Sequence, residues 1–548
     1  MKLTKMLSKP KHAKNEKEEK LDLFKKEKCE TLENAVREHP YLAAYLEKLT
    51  DKPTYIKSLD FEKSDRKTNI LYPLGFGIYA HIQAGTEIGT YYLVEPKKPN
   101  RALLDQIESS VARLVGPEEY DSDKDQVLAS LFRQTIRKKW VKIPKEEQDH
   151  VLYYFLREKV RHGFLEGFLA DPWLEDISVA GAGCVFVYHK LYGSLETNVE
   201  INMGEVDYLL RSISERYGKV LSYTHPIIDI HLPDGSRFNI VFGEDISLKG
   251  SNFTIRKFSE EPISVAHLIR WGTFSQELAA YLWMLLDVGI SCFFCGETAS
   301  GKTTSLNAFL GFVKSDSKIV SIEETPEVNI FHKNWVREVT RLHTGTKVTM
   351  FDLLKAALRQ RPDYIIVGEI RGEEGRIAFQ GIQTGHPVVS TMHAGDLGQL
   401  FQRLTSHPVN VPKSHINGLN VAIFQARVRR GNKLIRRITS VNEIISFEEK
   451  ESRLNYLPTF NYDPDTDHLR PVGSSFLLES KVLDFRGWGK ERIKDLYEEL
   501  KVRTEILRYL SENYPRYVNV WKTVITVQNN GVQEVYDRVK EGKIPWKE

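Results

Sequence analysis

Residues 295–306 read Cys-Gly-Glu-Thr-Ala-Ser-Gly-Lys-Thr-Thr-Ser-Leu, and the spacing within them, Gly296, four residues, then Gly301-Lys302-Thr303, decides the fold. A chain so spaced can wrap backbone N–H groups around a polyphosphate, bring a lysine to the β and γ phosphates and offer a threonine hydroxyl to magnesium. The flanks give the match its context. Gly289 to Cys295 is an apolar run of strand length, and Thr304 to Phe312 has the pattern of a helix that starts on the phosphate site. The order strand, glycine loop, helix makes Gly296, Glu297, Thr298, Ala299, Ser300, Gly301, Lys302, Thr303 and Thr304 the candidate nucleotide-binding residues.

Downstream the strand and helix alternation continues. Lys318 to Ile322 is a second apolar strand, and it runs into Glu323-Glu324-Thr325-Pro326-Glu327, acidic where the rim of an active site would be. After a helical stretch from Met350 to Gln360, Tyr364 to Glu369 is an apolar strand ending on a carboxylate. From there Glu369 can serve the magnesium shell or orient a water, whereas Asp363 at the opposite end cannot reach. A further strand, Pro387 to Met392, ends at His393, the position at which ligands converge in a parallel sheet. Beyond it, Arg427 to Arg437 holds five arginines and a lysine around Gly431-Asn432. That spacing reads as a hairpin, Ala426 to Arg430 and Lys433 to Ile438, at a solvated sheet edge or a subunit contact. Lys490 to Tyr514 is an amphipathic helix.

Upstream, the texture is that of a compact α+β domain. Short strands at Asp176–Val179 and Cys184–Tyr188 precede a helix from Glu205 to Tyr217 and a hairpin from His225 to Phe242 that turns at Pro233-Asp234-Gly235. The two-residue period puts Phe238 and Ile240 on one face and Arg237 and Asn239 on the other. In the next strand it separates Phe253 and Ile255 from Arg256. Residues 1–30 form a basic flexible tail, 31–160 a mostly helical docking region with one strand-like stretch at Tyr91 to Val94, 161–262 the α+β domain and 263–548 the nucleotide core with its C-terminal helices.

Bulk properties narrow the class. A chain of 548 residues with 41% hydrophobic and 28% charged residues can bury several cores. Its 77 basic and 74 acidic side chains nearly cancel, which weighs against a surface built as a whole for nucleic acid. Four cysteines are no disulfide framework. Cys292 and Cys295 lie three apart in a strand, on opposite faces, so packing is their expected role. Neither a signal peptide nor a membrane span is read, so any membrane contact is expected to be peripheral or through a partner.

Four blocks thus stand in order: Gly296 to Thr303, Ile322 to Glu327, Ile365 to Glu369 and Ser390 to Asp396. With the phrases Arg361-Pro362-Asp363-Tyr364 and Gly368-Glu369-Ile370-Arg371-Gly372-Glu373-Glu374, they resemble the secretion ATPase superfamily of type II and type IV secretion, type IV pili and archaella, in its archaeal branch. The resemblance implies an α/β fold, a RecA-like P-loop ATPase core preceded by a smaller α+β domain and a mostly helical N-terminal region. It implies a magnesium-dependent, ATP-hydrolysing hexamer at the inner face of the cell membrane, working on a polytopic platform protein, with no nucleic acid as partner. A RecA-like nucleic-acid translocase is the alternative. The blocks then resemble a Walker A loop, an acidic box, a Walker B strand and a histidine box. Glu323 is implied as the water-activating carboxylate, Glu369 with Thr303 as the magnesium pair, and His393 as the γ-phosphate sensor. Arg237 and Arg256 are implied to reach a neighbour's nucleotide, with Arg211 and Arg216 behind them. Glu324 stands where the family usually has aspartate, and with no cysteine after Cys295 no structural zinc is expected.

Overall fold

The computed structural model describes residues 31–546 apart from 58, 60–67, 86–87, 115–123, 259–260, 342–346, 432 and 449–452. The basic tail read at residues 1–30 lies outside these. The chain divides into two compact units, Met1–Phe258 and Ser259–Glu548.

Ten strands of the first unit form one sheet. They are β1 (Thr54–Tyr55), β2 (Asn69–Gly75), β3 (Ile78–Gln83), β4 (Gly89–Val94), β5 (Leu174–Val179), β6 (Gly183–His189), β7 (Gly193–Ile201), β8 (Ile227–His231), β9 (Arg237–Val241) and β10 (Asn252–Arg256). The spatial order is β1-β2-β3-β4-β7-β6-β5-β10-β9-β8. The helical stretch expected between Asn100 and Arg161 is present as Arg101–Ala112, Lys124–Arg137 and Gln148–Lys159. Beyond the expected strand at Tyr91 to Val94, residues 54–83 supply three strands where short helical patterns are expected. They pair, through β4 and β7, with the strands of the α+β region. Their apolar residues carry neither a two-residue nor a helical period, because β2 and β3 are buried on both faces.

In the second unit nine strands are hydrogen-bonded in the order β13-β12-β14-β15-β11-β16-β17-β18-β19. They are β11 (Cys292–Cys295), β12 (Ile319–Glu323), β13 (Trp335–Val339), β14 (Tyr364–Val367), β15 (Val388–Met392), β16 (Val421–Arg430), β17 (Lys433–Glu448), β18 (Arg453–Asp463) and β19 (His468–Pro471). From β13 to β16 every pairing is parallel, and from β16 to β19 every pairing is antiparallel. The central strand is buried throughout. Cys292 and Phe294 face one core with Leu306 and Phe309, and Phe293 and Cys295 face the other with Val320 and Ile365, the two-sided packing expected of the cysteines. Burying each large apolar side chain of this kind contributes about 2 kcal/mol. The hairpin read from Ala426 to Ile438 is there, but it starts at Val421 and continues to Glu448. The helix Ile493–Asn513 packs Leu496, Ile506, Leu507 and Leu510 onto the same core as Trp283 and Phe312. Among the described residues no helix is long and apolar enough to cross a membrane.

Candidate active site

A parallel sheet sends its loops out together at the C-terminal ends of its strands, and the residues singled out in the second unit sit there. The loop after β11 carries residues 296–301. Helix Lys302–Leu310 follows at once, its first N–H groups directed at the loop. Two glycines are required by space as well as by backbone angle. Gly296 (φ 155°) would bring a Cβ to 2.2 Å from the Gln425 carbonyl oxygen, and Gly301 (φ 98°) to 2.9 Å from the Gln425 side-chain nitrogen. The loop therefore rests on β16 with no room for a methyl group. Ala299 also takes a left-handed conformation, φ 61°.

Lys302 is only 8% exposed, and its ammonium donates to the carbonyl oxygens of Gly296 and Glu297 at 3.0 Å each. Burial pulls its pKa below the usual lysine value, and the nearby Glu369 carboxylate works against that pull. An ammonium curled into its own loop is poised for stronger anionic acceptors. Ser300 Oγ, buried in the same loop, makes no hydrogen bond to the described residues and is free to donate to a ligand. Beside the loop lies a cleft of about 390 Å³ lined by Gly296, Glu297 and Thr298 on one side and by His393, Arg403 and Arg427 on the other.

The carboxylates expected at the rim are there, in different states. Glu323 ends β12 and is 1% exposed. Its Oε1 accepts the backbone N–H groups of Glu327 and Val328 at 2.7 and 2.8 Å, while Oε2 is buried without a hydrogen bond. Burial outweighs these donors and pushes its pKa up to about 7. Glu369, two residues past β14, has Oε1 2.8 Å from His393 Nε2, and Oε2 receives Arg371 Nε at 2.8 Å. His393 follows β15, and burial lowers its pKa against the pull of Glu369. Magnesium takes oxygen donors and keeps waters and phosphate oxygens. The Thr303 hydroxyl and the Glu369 carboxylate are donors of that chemistry, so the residues present fit such an ion.

Several neighbours escaped the sequence reading. Gln425 holds the loop from below and accepts Ser305 Oγ–H at 2.7 Å. Arg436 Nε donates to the Ala299 carbonyl at 3.2 Å, Arg371 grips Glu369, and Arg403 and Arg427 line the cleft. A buried glutamine inside an apolar strand was the available signal for the first. The basic hairpin was the signal for Arg427 and Arg436, which are exposed, as a sheet edge implies, and also touch the site: Arg427 lines the cleft and Arg436 bonds the loop.

Arg237 and Arg256 lie in the first unit. They are direct cross-strand partners on β9 and β10, on the face opposite buried Phe238, Ile240, Phe253 and Ile255. Opposed like charges repel. Each is offset by its own carboxylate: Arg237 Nε donates to Asp229 at 3.1 Å and Arg256 Nε to Asp176 at 3.3 Å. Arg211 lies over the Phe242 ring, and Arg216 donates to the carbonyls of Val160 and Arg161.

The family described as type II/IV secretion system protein matches residues 158–455. An uncharacterized protein of Methanocaldococcus jannaschii is 41% identical over 515 residues, covering 87% of this chain and 92% of that one. A probable conjugal transfer protein of Sinorhizobium fredii is 28% identical over 276 residues, covering 48% and 83%. Among solved structures, a pilus retraction motor with bound ADP is 17% identical with a TM-score of 0.38, covering 62% of this chain and 89% of that one.

Proposed function

The chain belongs to the type II/IV secretion system protein family, and on that footing we propose that it is a hexameric motor. It hydrolyses ATP with magnesium and powers assembly or export of a type IV pilus-like or archaellum-like filament through a polytopic platform protein at the cytoplasmic face of the membrane. What supports the reading most is the glycine loop that closes on β16 around a buried lysine, with Glu323, Glu369 and His393 on the adjacent strand ends. In this reading Lys302 holds the β and γ phosphates. Glu323 takes the proton of the water that attacks the γ phosphorus in line, the bond to the β-phosphate oxygen breaks, and ADP and phosphate leave. A pKa near 7 suits a base working at neutral pH, and an oxygen that takes no hydrogen bond from the described residues suits a proton acceptor. Magnesium, held by Thr303 and Glu369, would neutralise phosphate charge. His393 carries a ring nitrogen beside Glu369 with which to register the γ phosphate. Arg237 and Arg256 of a neighbouring subunit complete the site, a contribution of about a thousandfold or more in rate.

The test is hydrolysis by the purified full chain. Lys302→Ala is expected to abolish it, as is the double variant Arg237→Ala, Arg256→Ala. Mixing the two dead proteins is expected to restore activity, because about a quarter of sites in a random one-to-one ring carry both an intact lysine and intact arginines from the neighbour. No recovery on mixing, in a preparation shown to exchange subunits, contradicts completion between subunits. Stimulation by acidic lipid or a membrane protein supports the secretion reading, and salt-sensitive stimulation by DNA contradicts it.

A further inference from the structure

Glu323 is held by hydrogen bonds through one oxygen only. Oε1 takes two backbone N–H groups, while Oε2, equally buried, takes none. The cation that faces Oε2 is Arg337, with Nε 3.9 Å away. The parallel register of β12 and β13 sets Ile319 beside Trp335, Ser321 beside Arg337 and Glu323 beside Val339. Residues two apart share a face, so Trp335, Arg337, Ser321 and Glu323 form one polar strip. Trp335 is fixed in it by donating its indole N–H to Ser321 Oγ at 2.8 Å. It carries the Arg337 guanidinium over its ring at 5.4 Å. On the other side the chain just past β14 presents Gly368, where a Cβ would stand 3.1 Å from Glu323 Cγ. The carboxylate is thus bounded by a glycine on one side and steered by an arginine on the other.

We propose that Arg337 is a positioning residue for hydrolysis: its guanidinium, set on Trp335, aims Glu323 Oε2 and keeps the carboxylate ionised so that it can accept the proton of the attacking water. This rests on the reading of Glu323 as that acceptor. The charged groups that bear on Glu323 are Arg337 from β13 and Glu327 from the turn after β12. The chain just past β14 brings the uncharged Gly368 against it, and helix Lys302–Leu310 carries the neutral Asn307, which donates to the carbonyl of Glu327 and accepts the N–H of Asn329. Burial and Glu327 favour the protonated acid. Arg337, with the two backbone donors, opposes them.

The experiment is the pH dependence of kcat at saturating ATP and magnesium, from pH 5.5 to 9.5, for the full chain and for Arg337→Gln, Arg337→Lys, Trp335→Phe and Glu323→Gln. A base must be ionised to work, so the parent rate rises with pH on a limb near 7. In Arg337→Gln the limb is expected to move up by about one pH unit, a loss of about fivefold at pH 7 that closes by pH 9. Arg337→Lys restores most of the shift. Trp335→Phe, which keeps the ring and removes the donor to Ser321, moves the limb the same way by less. A limb that stays in place in both Arg337→Gln and Trp335→Phe, whether the rate is full or uniformly reduced, overturns the proposal. If Glu323→Gln is dead while the Arg337 limb is unmoved, only the role of Arg337 falls. If Glu323→Gln hydrolyses at the parent rate, the reading of Glu323 falls and takes this proposal with it.

Discussion

Glu323 ends β12, and Glu369 lies two residues past β14, the parallel neighbour of β12 in the same sheet. Glu323 is sealed, with one oxygen on backbone N–H groups and the other without a hydrogen bond, so its charge is disfavoured. Glu369 keeps a fifth of its side chain exposed, pairs one oxygen with the Arg371 guanidinium and has the other 2.8 Å from His393 Nε2, whose pKa burial lowers. Carboxylates whose surroundings differ in this way suit different chemistry. A buried acid that titrates near neutrality can move a proton, and a paired, partly solvated one can hold charge in place. The difference lies in which groups the adjacent strands supply, β13 and the turn after β12 to one, the segment after β14 and the end of β15 to the other.

The largest effect is expected from shortening each carboxylate in turn. Glu323→Asp withdraws the group from the amides of Glu327 and Val328 and is expected to lower kcat by about a hundredfold or more. Glu369→Asp is expected to cost about tenfold and to be eased by excess magnesium. Equal losses with equal magnesium dependence would erase the distinction. Next comes Gly368→Ala, whose methyl group would press on Glu323 Cγ. It is expected to reduce kcat about tenfold with nucleotide affinity unchanged, read from steady-state kinetics beside a binding titration. Stability gives the third comparison. The folded-state pKa of Glu323 is raised from 4.5 to about 7, so its contribution is fully present below pH 4.5 and is lost as the pH rises through 7. Glu323→Gln removes that loss, so the variant is expected to gain Tm over the parent between pH 5 and pH 8, by an amount corresponding to about 3 kcal/mol at most. The smallest effect is expected from Arg371→Gln. It frees one oxygen of Glu369 while leaving His393 in place, and is expected to shift the magnesium optimum by a few-fold with little change in kcat at saturation.

The sequence made some of this legible and hid the rest for physical reasons. The glycine loop and the strands ending at Glu323, Glu369 and His393 were readable because a buried parallel strand is a continuous apolar run and its end is marked by a sudden polar residue. β13 was hidden: Trp335-Val336-Arg337-Glu338-Val339 is half-buried along its whole length, so neither an apolar run nor a clean alternation appears, and Arg337 went unread with it. β2 and β3 were hidden by the opposite circumstance, burial on both faces of strands containing Pro73 and His81. Gln425 was missed because its importance is a matter of contact. It lies under Gly296 and Gly301, more than a hundred residues earlier, and no local pattern records that. Arg237 and Arg256 were placed on the correct face by period alone, but their partners Asp229 and Asp176 come from strand pairing.

The division of labour between the two carboxylates is tested most directly by single-turnover hydrolysis of prebound ATP in Glu323→Gln and Glu369→Gln, across a magnesium titration. The account predicts that Glu323→Gln binds ATP and leaves it uncleaved at every magnesium concentration, while Glu369→Gln recovers cleavage as magnesium rises. Cleavage at the parent rate in Glu323→Gln, or a Glu369→Gln protein that stays inert however much magnesium is supplied, would contradict it.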